Sequence, residues 1–458
     1  MVFSSIIFLF RFLPITLFVY YTAPQKFKNA VLVICSLFFY SWGEVKYFPI
    51  MIASILVDYI VSLVIERNRE KKGICKICMG ISLLFNLGML FFFKYTNFFV
   101  DNINAFAGTH FAGIQLTLPL GISFYTFQTL SYTIDVYRGK TKAERNIVNF
   151  AAFVTLFPQL IAGPIVKYTD VSRELRERKM NLAQINEGIT LFIFGLGKKV
   201  LIANNIGSLW NQVQDIGFSN VSTPLAWLGI LAYSFQIYFD FSGYSLMAIG
   251  MGKMLGFEFP QNFNYPYISK SMTEFWRRWH ITLGSWFREY VYIPLGGNRV
   301  SKPRMYFNIF IVWAATGFWH GASWNFVLWG LFFFVFLVLE KTFLLKYLEK
   351  SHVFSHIYVC FFLVLSWALF AITDFSQLGI FLERLFSFSS GSDWMYYLRN
   401  YLVTFLLAIF CSIPLVEKLY NKIKKIAFVN LLILAVILIV SIAYLVDATY
   451  NPFLYFRF

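Results

Sequence analysis

Two histidines stand where an imidazole could do chemistry. His320 lies in VWAATGFWHGASWNFVLWG, between two apolar runs and flanked by Trp319 and Gly321. An ionisable group at membrane depth is costly and usually marks function. Imidazole titrates near neutrality, which suits it to take a proton from a hydroxyl during acyl transfer. Gly317 and Gly321 permit close backbone approach at this point. The competing reading is a neutral core histidine with one satisfied hydrogen bond. His280 follows Arg277, Arg278 and Trp279 in an aromatic and basic linker. It reads as a headgroup-level residue, as a second polar group on the same reaction path, or as an acyl-carrier contact. Arg277 and Arg278 suit a phosphate group, of a substrate or of a lipid.

Three carboxylates fall inside apolar runs. Asp240 is in SFQIYFDFSGYSLMAIG, Asp135 follows SYTI, and Asp58 lies in a third run. Buried carboxylates need partners, and Lys198, Lys199 or an arginine would supply them. His352 and His356 sit in a basic linker and read as solvated, and His110 reads as an external loop residue. Cys75 and Cys78 form a CxxC with no second pair and no nearby histidine, so a metal or redox site is not expected. No Walker loop, GxGxxG, GxSxG, HExxH or EF-hand pattern appears in a supporting context. That argues against a nucleotide-driven pump, a serine hydrolase and a zinc protease.

The elements that hold these residues must be membrane helices. Of 458 residues, 58% are hydrophobic and 14% charged, and the mean hydropathy is +0.63. Soluble domains carry about 25% charge. A soluble fold of this composition would leave too much apolar surface in water. The chain reads as all-α, a single polytopic bundle over residues 1–458 with about 11–13 membrane segments, since a span takes about 20 apolar residues. Segment 147–166 contains Pro158 and Pro164 and reads as re-entrant. The N-terminal run lacks a basic n-region and a clear cleavage site, so it reads as a retained membrane segment.

The net charge of +16 resides in short linkers such as 66–76, 138–145 and 167–179. That pattern fits cytoplasmic loops beside anionic lipid, not nucleic acid. It puts both termini outside. The linker 252–304 mixes Trp, Phe and Tyr with Lys and Arg and reads as an amphipathic segment at the headgroup level. Ser271 and Glu274 predict a capping box that opens a short helix.

Two long runs carry a resemblance. FDFSGYSLMAIGMGKMLGFEFPQNFNYPYISKSMTEFWRRWHITLGSWFREYVYIPLGGNR, followed by TGFWHGASWNFVLWG, resembles the membrane-bound O-acyltransferase family. SFYTFQTLSYTIDVYRGK, FPQLIAGPIVKY and the terminal NPFLYFRF look like its alginate O-acetyltransferase branch. The motif core is 236–330. The resemblance implies a helical bundle with a narrow central channel. It implies acyl transfer from a cytoplasmic thioester, acetyl-CoA or another, to a hydroxyl on the far side. That hydroxyl would belong to a polysaccharide or to an extracytoplasmic partner protein serving it. The family's histidine falls on His320, and its upstream polar position falls on His280. Asp240, Asn262, Arg278, Trp279 and Trp319 match motif positions in supporting or substrate-binding roles. The resemblance implies no tightly bound cofactor or metal, membrane lipids as partners and no nucleic acid. It places the chain in a bacterial cytoplasmic membrane. The teichoic-acid D-alanylation branch shares the architecture. From another class, a transporter or flippase for a lipid-linked sugar would use His320 as a proton relay. A non-catalytic scaffold of a secretion complex is a third reading.

Overall fold

The computed structural model describes residues 1–114, 116–161, 163–447, 451 and 454. Every regular element among them is helical. Seven helices are long and apolar enough to cross a membrane: Phe48–Arg67, Lys72–Ala107, Leu182–Ile216, Trp324–Leu348, His352–Ala371, Asp393–Cys411 and Ala427–Asp447. On the last of these, Leu431 and Ile439 are 66% and 65% exposed. Such a surface belongs in hydrocarbon, and the chain is a multi-pass membrane protein.

Most other expected segments are helical but short, because Gly, Pro and polar residues interrupt them, whereas Thr223–Met254 runs 32 residues with Gln236, Asp240 and Lys253 among its apolar side chains. Helix α1 covers Leu13–Thr22, α2 Lys28–Ser41, α3 Phe48–Arg67, α4 Lys72–Ala107 and α5 Ile122–Tyr137. The predicted re-entrant stretch is broken as expected. Helix α6, Ile147–Thr155, is capped by Asn146, whose side chain accepts from the N–H groups of Val148 and Asn149. It stops at Leu156, whose ψ of 107° is non-helical, and Pro158 sits in the first turn of the short helix Phe157–Leu160 that follows. Helix α7 follows at Tyr168–Glu177.

The chain forms two compact units: Met1–Phe192 with Met247–Pro260, and Ile193–Leu246 with Gln261–Phe458. In the first, Asp58 of α3 is fully buried. It accepts from Ser82, from Asn86 at 2.7 Å and from Thr133 at 2.9 Å. The expected cationic partner is therefore replaced by three neutral donors from α4 and α5. Asp135 pairs with Lys140, 3.6 Å away. Cys75 donates to the carbonyl of Asn68, and no metal-ligand cluster occurs among the described residues.

The second unit contains most of the motif core. Its helices are α8 (Thr223–Met254, up to Leu246), α9 (Met272–Arg278), α10 (Ile281–Phe287), α11 (Lys302–His320), α12 (Trp324–Leu339) and α13 (His352–Ala371). Helices α11 and α12 form a tight hairpin. A Cβ on Gly317 would meet the Phe326 carbonyl at 2.3 Å, and one on Gly330 would meet the Trp313 carbonyl at 2.4 Å. Only glycine lets these two backbones lie so close. The linker expected to be amphipathic, 252–304, presents one face to the protein interior. Met272, Phe275, Trp279 and His280 are all buried in this unit. Trp279 packs against Tyr238, Phe263 and Trp367.

Candidate active site

His280 is built by its neighbours. Ser271 caps α9, its Oγ accepting from the Glu274 N–H at 3.0 Å. The returning half of the capping box differs from expectation, because Glu274 accepts from the N–H of Lys270. Helix α9 ends at Arg278, and the chain reverses through His280 in the left-handed region, φ 43° and ψ 54°. A non-glycine residue holds that conformation only where surrounding contacts enforce it. Here the Ile281 N–H donates to the Asn262 carbonyl at 2.9 Å, and the Gly284 N–H donates to the His280 carbonyl at 3.1 Å.

Asn262 also sets the tautomer. Its Oδ1 accepts from the backbone N–H of Thr282 at 3.3 Å and from the Thr282 hydroxyl at 2.9 Å. The backbone donor identifies that atom as the amide oxygen. His280 Nδ1 lies 3.0 Å from it and must carry the proton. The lone pair of the neutral ring is therefore on Nε2. Burial pushes the imidazole pKa down to about 3, so the ring is neutral across physiological pH. Phe241 meets its face at 4.7 Å and 90°.

His320 is the last residue of α11 and is 4% exposed. Trp329 of α12 and Phe370 of α13 meet the imidazole edge-to-face at 5.0 and 5.4 Å. Trp319 stands between the two histidines, 5.0 Å from the His320 ring and 6.1 Å from the His280 ring. The structure thus gathers His320, Trp319, His280, Asn262 and Trp279 into one buried cluster. Trp279 braces it, 5.0 Å from Trp367 and 6.0 Å from Tyr238.

Asp240 sits one residue from Phe241 and pairs with buried Lys199 at 2.5 Å. Its other oxygen accepts from the N–H of Leu454 at 2.9 Å. Of the partners the sequence offered, Lys198, Lys199 or an arginine, Lys199 supplies the ion pair. The rest of the terminal NPFLYFRF motif, Asn451 apart, lies outside the described residues. Arg278 is occupied locally, donating to Glu274 at 2.9 Å and to the Asn264 carbonyl at 3.1 Å. Its partner Arg277 is exposed. His110 and His352 are exposed as expected. His356 is half-buried and lies 3.2 Å from the Ser269 carbonyl, because its helix packs on the α9 approach.

Glu340 was not singled out from sequence. It is 2% exposed and accepts from the N–H groups of Met272 and Thr273, the Thr273 hydroxyl and Tyr358. It anchors the start of α9 and hence the approach to His280. Only its place at the end of an apolar run signalled it.

The family model described as membrane-bound O-acyltransferase matches residues 142–356. A probable alginate O-acetylase, AlgI, of Pseudomonas syringae pv. tomato is 42% identical over 401 residues, 86% of this chain and 76% of the relative. The chain belongs to the membrane-bound O-acyltransferase family. The corresponding AlgI of Azotobacter vinelandii is 40% identical over 399 residues, covering 86% of this chain and 79% of that protein. A peptidoglycan O-acetyltransferase of Helicobacter pylori is 38% identical over 366 residues, covering 72% and 68%. As a membrane-bound O-acyltransferase, the chain is an enzyme, and the cluster around His320 is its candidate centre.

Proposed function

We propose that the chain transfers an acetyl group from a cytoplasmic thioester, acetyl-CoA, to a hydroxyl on the far side of a bacterial cytoplasmic membrane. The observation that carries the reading is His320, buried at the end of α11 beside an aromatic wall and a second, neutral imidazole. The O-acetylating relatives align with most of the chain and support acetyl as the group. His320 removes the proton of the attacking hydroxyl as its oxygen bonds to the thioester carbonyl carbon. The tetrahedral intermediate collapses, the C–S bond breaks, and the thiolate leaves and takes a proton. A general base contributes about 10²–10⁴-fold, so positioning in a narrow passage supplies much of the remainder.

His280 has a more limited role in this scheme. With its lone pair on Nε2 it accepts a hydrogen bond, from the incoming hydroxyl or from an N–H of the donor. It does not donate to an oxyanion in that tautomer, so orientation of a substrate fits better than charge stabilisation. The acceptor hydroxyl belongs to an exopolysaccharide of the alginate type or to a partner protein that serves it.

The test is the ester content of cell-surface polymer in a deletion strain. Complementation by the wild type should restore acetyl esters, and complementation by His320→Ala should not. Alanyl esters restored in place of acetyl would reassign the group. Polymer export lost together with the esters would favour a transport role.

A further inference from the structure

The first unit holds two cations that the transfer chemistry does not use. Lys28 opens α2, and Arg178 follows α7 at the end of the basic linker. Each is 6% exposed. Lys28 Nζ lies 4.8 Å over the ring of Tyr20, and the Arg178 guanidinium carbon lies 5.5 Å over the same ring. Arg178 also lies 4.4 Å over Phe257. Its stem covers Gly256, where a Cβ would meet Cγ at 2.7 Å.

Two cations brought to one aromatic ring repel each other, and burial raises the cost. Among the described residues neither forms an ion pair with a carboxylate. Arg178 donates to the Glu174 carbonyl at 3.3 Å and to Asn29 Oδ1 at 2.9 Å, and the Glu174 charge and Tyr20 also act on it. Its Nε is enclosed without a partner. Among the described residues, the one hydrogen-bond acceptor of Lys28 Nζ is the Met180 sulfur, at 3.8 Å. The surrounding frame is rigid. Asn29 is tied to Asn149 and to the Leu175 carbonyl, both at 2.7 Å, and Tyr20 donates to the Leu255 carbonyl at 2.6 Å. A preorganised cation pair on aromatic supports, short of negative charge, is the inverse image of an anion.

We infer that Lys28 and Arg178 form a binding site for a phosphate group within the first unit. A planar guanidinium and an ammonium together match a tetrahedral anion with several acceptor oxygens. Their linkers, 24–28 and 167–179, are among the basic segments read as cytoplasmic. Phosphate there comes either from a lipid headgroup of the inner leaflet or from a soluble phosphate-bearing molecule. The inference concerns binding alone and stands or falls apart from the proposed reaction.

The experiment uses the full chain in nanodiscs, with Lys28→Gln, Lys28→Arg and the double variant Lys28→Gln/Arg178→Gln. One arm titrates inorganic pyrophosphate by calorimetry in neutral phosphatidylcholine discs. The other counts phosphatidylglycerol retained by the chain from mixed discs, by native mass spectrometry. One arm should show binding that weakens about tenfold in Lys28→Gln, is lost in the double variant and returns in Lys28→Arg. Pyrophosphate binding identifies a soluble ligand, and retained lipid identifies a headgroup. Lys28→Gln is judged only at an unchanged melting midpoint, so loss of fold does not pass for loss of a site. Wild-type behaviour of Lys28→Gln and of Lys28→Arg in both arms would overturn the inference.

Discussion

The amide oxygen of Asn262 receives the Nδ1 proton of His280 across 3.0 Å while also receiving two donors from Thr282. One side chain therefore fixes the tautomer, the ring plane and the left-handed turn. Asn262→Ala should lower turnover about a hundredfold, the cost of about 1 Å of misplacement. Nitrogen NMR of labelled histidine should show the Nδ1–H form in the wild type and its loss in the variant. An unchanged tautomer with full activity would remove Asn262 from the site.

Burial of His280 links stability to pH. Its folded pKa, about 3, lies below the free value of 6.5. The stabilising contribution is complete above pH 6.5, where both states are neutral. It falls as pH drops toward 3, because the unfolded chain takes up a proton and the folded chain does not. Between pH 7 and 5 the wild type should lose about 2 kcal/mol that His280→Gln does not lose. Melting curves of both at the two pH values measure the difference, and parallel curves would contradict it.

The hairpin that presents His320 depends on glycine contacts. Gly330→Ala drives a methyl group into the Trp313 carbonyl and should cost about 1–3 kcal/mol. Gly284→Ala, whose Cβ would find its nearest neighbour at 3.7 Å, is the control and should melt like the wild type. Equal midpoints for the two variants would show that α11 and α12 are not so closely packed.

The Lys199–Asp240 pair is buried on both sides. Removing either partner strands a charge and should cost about 3–5 kcal/mol. Replacing both, Lys199→Met with Asp240→Leu, should recover most of that loss. A double variant as unstable as the singles would mean that Asp240 matters mainly through Leu454.

Much of this was legible before the coordinates. Spacing and hydropathy place His320 at the end of an apolar run, and Gly317 announces the close hairpin. A carboxylate among aromatics at 240 calls for a cationic partner, Lys198, Lys199 or an arginine, and Lys199 supplies it. For the linker 252–304, composition reports only that the segment is aromatic and basic. The same Trp and Phe residues suit a headgroup layer or a protein core, and tertiary packing decides between them. Asn262 could be matched to a motif, but its bond to His280 depends on a reversal through the left-handed region that no periodicity signals. Glu340 was hidden for a similar reason. Its partners lie 67 or 68 residues away, at Thr273 and Met272.

The most direct test follows label from the donor to the product. Inside-out membrane vesicles carrying the chain are given radiolabelled acetyl-CoA, and base-labile acetyl ester is counted. His320→Ala and His320→Gln, at wild-type abundance and melting midpoint, should form ester at least about 100-fold more slowly than the wild type. Ester formation at the wild-type rate by either variant would contradict a proton-accepting role for His320.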